Sequence, residues 1–295
     1  MRVLITGCHG FVGTNLVDDL SRRHEIIRWD AMTDNNLPDC DAVIHLAGLA
    51  HDTENRTREE EYFKVNTELA KKMYDKFLRS EAKKFIFFSS IKAKDNDTPY
   101  ARSKKAAEDY ILYRSEGTSR QARDDNASTG LSAKSVYILR PCMIHGKGVK
   151  GNLPLLFKYV KKGWPWPLAA FENQRTYASM GNVAFVVNEL LKEDVSSGIY
   201  NICDDESVPT NELIGLMSKS LGCNTKMLDV PKGLVRFGAS IGNVFHLPLN
   251  TERLRKLTGD EIVDNSKIKF ALRINHMPIS AMDGLMVTIE ELMKE

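Results

Sequence analysis

Apolar and polar residues follow two different periodicities in the first half of the chain. Short apolar, β-branched runs such as Arg2-Val3-Leu4-Ile5-Thr6 are typical of strands, and the segments between them repeat apolar residues at helical spacing. The pattern predicts strands near 2–6, 24–29, 41–46, 84–89 and 135–140, and helices near 11–22, 56–79 and 100–113. Such alternation indicates a parallel sheet with helices on both faces. The predicted fold class is therefore α/β, with a doubly wound parallel sheet.

The second half is less regular and reads as mainly helical. One strand is predicted at 198–202, and helices are predicted near 152–162, 182–192, 210–221, 232–244, 250–258, 265–272 and 279–294. We expect a sheet domain at 1–145, onto which the helix near 181–193 packs back, and a smaller, mostly helical substrate-binding region at 146–295. The polar stretch 115–130 has almost no large apolar residue and is predicted to be a mobile connection far from the chemistry.

Composition narrows the function classes. The 295 residues are 42% hydrophobic and 27% charged, which is enough for one or two globular cores. A formal net charge of +2 gives no argument for a nucleic-acid partner. No apolar run approaches the ~20 residues of a membrane helix, so we expect no membrane partner and a cytoplasmic location. The five cysteines and seven histidines lack metal-ligand spacing, and no metal is expected.

A glycine-rich turn follows the first strand. Gly7, Gly10 and Gly13 stand three residues apart, and Phe11 and Val12 open the helix that follows. Glycine is needed where a backbone approaches a pyrophosphate closely, and the free N–H groups of a helix start face its negative charge. By itself, the triplet also fits an ordinary surface turn.

Asp30 strengthens the dinucleotide interpretation. It ends the second predicted strand, at about the ~20-residue offset where an acidic residue accepts hydrogen bonds from the adenosine ribose. Its charge would repel a 2′-phosphate, whereas Arg22 and Arg28 would soften that preference. The sequence therefore predicts a Rossmann-type domain that binds NAD(H) rather than NADP(H).

Tyr100 and Lys104 provide candidate redox chemistry. They stand four residues apart behind Thr98-Pro99, a good helix start, so one helix face carries both side chains. A phenol has a pKa of about 10, and a nearby ammonium and a positive nicotinamide ring would make it a usable base. The alternative is an ordinary amphipathic helix in which Tyr100 packs and Lys104 faces water. The position one strand and one turn after Ser89-Ser90 favours the chemical role.

The order of these motifs resembles that of the extended short-chain dehydrogenase/reductases, and within them the nucleotide-sugar epimerase/dehydratase group. The motifs are Gly7-x-x-Gly10-x-x-Gly13, Asp30, His45-Leu46-Ala47-Gly48, Val65-Asn66, Ser89-Ser90 and Tyr100-x-x-x-Lys104. Later family motifs are echoed by Leu139-Arg140-Pro141, Gly151-Asn152-Leu153, Arg175-Thr176-Tyr177 and Asp264-Asn265-Ser266-Lys267. The resemblance covers the whole chain and implies a Rossmann domain holding NAD and a C-terminal region holding a nucleoside-diphosphate sugar, which we expect to be UDP-linked.

The resemblance also implies a role for each matching residue. Tyr100, Lys104 and Ser90 would be catalytic, with Ser90 bonding the reacting oxygen. The implied cofactor contacts are Gly7, Gly10, Phe11, Val12, Gly13, Asp30, Leu46, Ala47, Gly48, Asn66, Tyr100 and Lys104. The implied substrate contacts are Ser90, Asn152, Leu153, Arg175 and Arg253, with Arg255 as an alternative to Arg253. For Arg175, the alternative is a surface arginine that forms an ion pair with Glu172. A homodimer is an open alternative for the assembly.

Three departures from the family pattern stand out. The stretch between Asp30 and Asp41 is too short for the usual additional strand and helix, so an edge strand is predicted to be missing. The segment between Ser90 and Tyr100 is also much shortened. Ile91-Lys92-Ala93 stands where dehydratases of this family carry an acidic pair, so a 4,6-dehydratase is not expected.

The predicted function is an NAD-dependent 4-epimerase of a UDP-hexose or UDP-N-acetylhexosamine. One alternative is a 4-ketoreductase of a UDP-4-keto-6-deoxy sugar, because Ser89–Lys92 and Gly148–Asn152 also resemble that branch. The other is a non-catalytic NAD-binding sensor, which such a fold can become.

Overall fold

The computed structural model describes residues 1–30, 36–49, 57–95, 97–124, 134–245 and 250–294. The chain divides into two compact units. The first comprises Met1–Cys142, Asn182–Ile202 and Asn265–His276, and the second comprises Met143–Gly181, Cys203–Asp264 and Met277–Glu295.

The described strands are β1 (Arg2–Thr6), β2 (Glu25–Trp29), β3 (Ala42–His45), β4 (Lys84–Phe88), β5 (Ser135–Pro141), β6 (Met143–His145), β7 (Gln174–Ser179), β8 (Gly198–Ile202) and β9 (Ser207–Pro209). The described α-helices are α1 (Phe11–Leu20), α2 (Glu59–Tyr62), α3 (Leu69–Arg79), α4 (Pro99–Asp124), α5 (Asn152–Lys161), α6 (Met180–Lys192), α7 (Thr210–Ser220), α8 (Lys232–Phe245), α9 (Thr251–Thr258), α10 (Ser266–Leu272) and α11 (Ala281–Lys294). A π-helical segment, Phe63–Glu68, joins α2 to α3, and a 3₁₀ turn spans Ile91–Lys94.

The first unit is built on a six-stranded parallel sheet in the order β2-β1-β3-β4-β5-β8. This confirms the predicted doubly wound α/β fold. Among the described residues no strand lies beyond β2, in line with the predicted loss of an edge strand. Strands β1 and β3 are parallel neighbours, so their carboxyl ends lie at the same edge. The strand order reverses between them, because the chain crosses from β2 to β3, and ligands of such sheets bind at that point.

Apolar side chains cover one face of this sheet with α3 and α4. The buried cluster includes Val43 and Phe85 from the strands, Met73 and Phe77 from α3, and Ile111 from α4. The alternate residues of the strands are also buried, as expected for a parallel sheet covered on both faces.

A side-chain hydrogen bond joins helices α1 and α6 in the first unit. Asn188 of α6 donates a hydrogen bond to the carboxylate of Asp19 on α1 (2.8 Å). The ammonium of Lys84, at the start of β4, bonds the carbonyl oxygens of Leu190 and Leu191 (both 2.9 Å). These contacts fix the later helix on the unit that contains the glycine-rich turn.

The second unit contains a small sheet that the sequence did not predict. Strand β6 pairs in parallel with β7, and β7 pairs antiparallel with β9. Strands β6 and β9 have three residues each, too few to show an alternating pattern.

The predicted connection at 115–130 is wrong for its first ten residues, because α4 continues to Asp124. This part contains no proline, and Glu116, Arg120, Gln121 and Ala122 are good helix formers, so low hydrophobicity alone was misleading. Residues 125–130 of the predicted connection lie outside the described residues.

Candidate functional site

The glycine-rich turn joins β1 to α1. Gly7 has φ +71°, in the left-handed region, and a Cβ there would lie 2.6 Å from the amide nitrogen of Ala47. A Cβ on Gly13 would overlap the carbonyl oxygen of Gly7. Both glycines are therefore required by the protein's own packing, since neither site has room for a side chain.

Gly10 differs from its two neighbours. It is the N-cap of α1 with ordinary φ, and the nearest atom to an added Cβ is the Gly7 carbonyl oxygen at 3.4 Å. No side chain caps the first turn, whose free N–H groups form the kind of site that binds phosphate. The first two helical residues, Phe11 and Val12, are half-buried.

A matched pair of alanine variants separates packing from ligand contact in this turn. Gly13→Ala is expected to cost ~1–3 kcal/mol of unfolding free energy, because it overpacks the turn. Gly10→Ala is expected to change stability by less than ~0.5 kcal/mol. Its methyl group would nevertheless weaken NAD binding by roughly tenfold or more, the equivalent of one lost charge-assisted hydrogen bond. Thermal unfolding and NAD titration would measure both quantities; equal NAD affinity of Gly10→Ala and wild type would contradict the assignment.

The segment after β3, Leu46-Ala47-Gly48, is held beside the glycine turn. The Thr6 hydroxyl contacts Nδ1 of His45 (2.7 Å) and accepts a hydrogen bond from the amide of Ala47 (3.2 Å). Burial lowers the pKa of His45 to about 3, with the Lys104 charge acting in the same direction. A neutral, buried His45 therefore orients this segment.

Asn66 fixes the other end of the same segment. It lies buried in the π-helical segment; its Oδ1 accepts from the amide of Leu49 (2.8 Å), and its Nδ2 donates to the Leu49 carbonyl (3.2 Å). A Cβ on Gly48 would lie 2.8 Å from this Oδ1 and 3.1 Å from Nζ of Lys104. Short π-helical segments are often found at functional sites, and this one aims Asn66 at the segment predicted to line the dinucleotide.

Asp30 directly follows the last residue of β2, and it is exposed. Strand β2 is the neighbour of β1, which leads into the glycine turn. The carboxylate of Asp30 is thus at the carboxyl edge of the sheet, accessible to a ribose.

Tyr100 and Ser90 are brought together as predicted from the motif order. Thr98 caps α4 by accepting a hydrogen bond from the amide of Ala101 (3.1 Å), which confirms the predicted helix start. Ser90 caps the 3₁₀ turn and hydrogen-bonds the hydroxyl of Tyr100. The ammonium of Lys104, one turn further along α4, donates to the carbonyl of Phe88 (2.9 Å).

Electrostatics sharpen the expectation for these groups. Burial raises the pKa of Tyr100, the Ser90 hydrogen bond opposes that rise, and the phenol of Tyr62 adds to it. Burial also lowers the pKa of Lys104 to about 8, and Glu108 opposes this. The protein by itself therefore keeps Tyr100 protonated at neutral pH. Lys104 alone does not tune the phenol, and the positive ring of an oxidised cofactor would supply the remaining charge.

Glu108 is a functional candidate that the sequence reasoning missed, and Arg140 was noted there only as part of the Leu139-Arg140-Pro141 motif, without a role. Glu108 is fully buried, accepts a hydrogen bond from the Ser89 hydroxyl (2.5 Å) and pairs with the guanidinium of Arg140 (Nε to Oε1, 2.8 Å). The four-residue repeat Tyr100-Lys104-Glu108 was the available signal, because it places all three on one face of α4.

The second unit contains a small, partly open pocket at the start of α5. Three predicted substrate residues, Asn152, Leu153 and Arg175, line it together with Met143, Leu156, Tyr177, Thr210, Lys256 and Leu257. Arg253, in contrast, is exposed on α9 and does not line this pocket. The structure thus brings together three of the four substrate residues predicted for this half of the chain.

Arg175 is anchored at one side of that pocket. Its guanidinium pairs with the carboxylate of Glu261 (2.5 Å) and donates to the carbonyl oxygen of Lys256. The considered pairing with Glu172 is therefore wrong, and the partner is a residue 86 positions away. A fixed guanidinium at a pocket wall is suited to bidentate recognition of a phosphate.

Comparison with known proteins identifies the family of this chain. The family model described as NAD dependent epimerase/dehydratase family matches residues 3–203. The chain belongs to this family. As a family member it is an NAD-dependent enzyme, and NAD is its cofactor, as predicted.

Several members of the epimerase/dehydratase family resemble the chain over nearly its full length. A UDP-glucose 4-epimerase of Vibrio cholerae is 30% identical and covers 92% of the chain and 89% of its own length. An N-acetyl-alpha-D-glucosaminyl-diphospho-ditrans,octacis-undecaprenol 4-epimerase of Escherichia coli O157:H7 is 26% identical, covering 90% of the chain and 83% of its own length. The crystal structure of UDP-glucuronic acid 4-epimerase from Bacillus cereus with NAD superposes with a TM-score of 0.70 at 16% identity, over 100% and 99% of the two chains. That structure supports the fold.

The residues of the first unit fit NAD. The start of α1 has no side-chain cap, and glycine at positions 7, 10 and 13 keeps the backbone of the turn bare at the points where a pyrophosphate would approach it. Among the described residues, no group of three or more His, Cys, Asp or Glu side chains could hold a metal ion. Nor does any described helix have the length and apolar character needed to cross a membrane.

Proposed function

We propose that this chain is a 4-epimerase of a UDP-hexose or UDP-N-acetylhexosamine. The observation that carries the proposal is the hydrogen-bonded Tyr100–Ser90 pair beside the buried ammonium of Lys104. A phenol bonded to a hydroxyl is suited to moving a proton on and off a secondary alcohol. The sugar nucleotide named in the Vibrio cholerae relative supports the substrate class.

Each residue has a defined role in the proposed reaction. Bound NAD supplies the acceptor and later the donor of the hydride from C4. Tyr100, as phenolate, takes the proton from the C4 hydroxyl, and Ser90 donates a hydrogen bond to the same oxygen. Lys104 stays an ammonium, held by the carbonyl of Phe88, and stabilises the phenolate state through its charge. In the second half-reaction the 4-keto sugar presents its other face, and Tyr100 returns the proton.

The cofactor and the diphosphate have separate proposed contacts. For NAD these are the glycine turn with Phe11 and Val12, Asp30, and Leu46, Ala47 and Gly48. Asn66 acts by holding Leu49, because its amide bonds are made to that residue and to Ser103. For the diphosphate of the substrate we propose Asn152, Leu153 and Arg175, which line one pocket. Arg253 has no such support.

Incubation with UDP-sugars tests the proposal directly. Purified protein is expected to interconvert UDP-glucose and UDP-galactose, or their N-acetyl counterparts, with no net change in the absorbance of reduced cofactor. Chromatography of the products and the absorbance would be followed together. Net oxidation of NADH with a UDP-4-keto-6-deoxy sugar would instead indicate the ketoreductase, and binding of NAD without turnover of any sugar would indicate the sensor.

A further inference from the structure

Three consecutive residues at the end of β4 are each bonded to a side chain of α4. The helix residues are spaced by four, so they lie along one face, one turn apart. The pairs are Tyr100 with Ser90, Lys104 with the Phe88 carbonyl, and Glu108 with the Ser89 hydroxyl. A residue that holds Glu108 in place therefore also fixes the position of α4 along the end of β4, and with it the position of Tyr100 relative to Ser90.

Arg140 of β5 holds Glu108. Its Nε and Nη2 donate to the two oxygens of the Glu108 carboxylate, and both side chains are largely buried, with 11% and 0% exposure. Strand β5 is the neighbour of β4, with Leu139 in register with Phe88. The ion pair therefore joins α4 to the sheet beside the catalytic candidates.

The side chains of Lys104, Glu108 and Arg140 form a buried charge cluster. Lys104 and Arg140 are positive, and Glu108 is the acid that faces them both. A buried charge is tolerated only when it is paired, so removal of Glu108 would take from Arg140 its ion-pair partner and from Lys104 the negative charge that raises its pKa.

We propose that Glu108 is a positioning residue of this reaction, and this rests on the proposed function. Clamped by Arg140, it sets the contact between α4 and the end of β4, and it supplies the counter-charge that lets Lys104 remain an ammonium beside the Gly48 segment. Loss of Glu108 therefore changes the charge state of Lys104, whereas loss of Arg140 leaves that counter-charge in place.

The pKa of Lys104 supports the second half of this proposal. Burial lowers it to about 8, and Glu108 is the group that raises it. The groups that face Lys104 are Glu108 from α4, the Phe88 carbonyl and the Phe87 ring from β4, and His45 from β3, whose pKa of about 3 keeps it neutral. Since the ammonium is the required form, turnover is lost as the pH rises through this pKa.

Two single variants give opposite expectations. In Glu108→Gln the pKa of Lys104 falls, and the alkaline limb of the kcat/KM profile moves to lower pH by about one unit, the scale of one nearby charge. In Arg140→Met the carboxylate of Glu108 faces Lys104 alone, and the limb moves to higher pH. If Glu108 and Arg140 formed a merely structural clamp, both variants would have lower turnover. The alkaline limb of the kcat/KM profile would then stay in place in both variants, or it would move in the same direction in both.

A direct titration makes the test independent of turnover. The pH at which the ¹⁵N-labelled amine of Lys104 loses its proton, assigned by its absence in Lys104→Arg, is expected to fall in Glu108→Gln and to rise in Arg140→Met. If one single variant does not fold, the other and the double variant Glu108→Gln/Arg140→Gln still decide, because the double variant should titrate near wild type. An unchanged Lys104 titration in Glu108→Gln would overturn the proposal. Failure of the sugar assay alone would overturn the proposed function and leave the clamp standing.

Discussion

Tyr100→Phe is expected to reduce turnover by at least ~10²-fold, the lower end of what general acid–base catalysis contributes. The variant removes one oxygen, which bonds Ser90 in the resting protein and would accept the proton of the sugar hydroxyl. NAD contacts made by the glycine turn are untouched, so cofactor content should remain at the wild-type level. The product assay and the NAD content of the purified variant give the two measurements.

Tyr113→Phe is the matched control for that experiment. Tyr113 lies on the same helix but is 77% exposed, and its substitution should leave turnover unchanged. Wild-type turnover in Tyr100→Phe would remove the residue from the mechanism and would favour a binding role for the fold. Loss of NAD together with turnover would show that the variant had disturbed the cofactor site instead.

Those parts of the site that are local in sequence were predictable without a structure. Gly7 and Gly13 stand out because a position that has no room for a Cβ must be glycine. Tyr100 and Lys104 were found together because helical spacing alone puts them on one face. In both cases, the residues that matter lie within a few positions of one another.

The parts that depend on distant pairing were not predictable. Glu108 and Arg140 are 32 positions apart, and nothing in either segment announces that the two side chains meet. The same holds for Arg175 and Glu261, where sequence reasoning offered only a neighbour, Glu172, as a partner. Register between a helix and a strand is set by the whole core, so such pairs appear only in the fold.

Local sequence patterns also failed to predict short elements whose formation depends on tertiary packing. The 3₁₀ turn Ile91–Lys94 and the π-helical segment Phe63–Glu68 have no distinctive pattern, yet they place Ser90 and Asn66. At the polar end of α4 the error was different. Low hydrophobicity predicted a connection there, but the residues have sufficient helix propensity and the helix continues to Asp124.

Arg175→Ala is expected to weaken binding of UDP by ~1.5–3 kcal/mol, or roughly 10–150-fold, the range for a hydrogen bond to a charged group. NAD affinity should stay near wild type, because the proposed NAD contacts lie in the other unit. Arg175→Lys should recover only part of the loss, since an ammonium keeps the charge but not the two-pronged geometry. Calorimetry with UDP on the three proteins would measure this.

The Glu261 pairing gives this experiment its control. In the structure the guanidinium of Arg175 is shared between Glu261 and the carbonyl oxygen of Lys256, so a diphosphate would compete with a carboxylate for it. Glu261→Gln keeps the shape and removes that competitor, and UDP should bind at least as tightly as to wild type. Thermal unfolding of each variant would separate a lost contact from a damaged pocket, because Arg175 also ties β7 to the end of α9. Unchanged UDP affinity in a folded Arg175→Ala variant would exclude the arginine from the diphosphate site and leave Asn152 and the start of α5 to hold it alone.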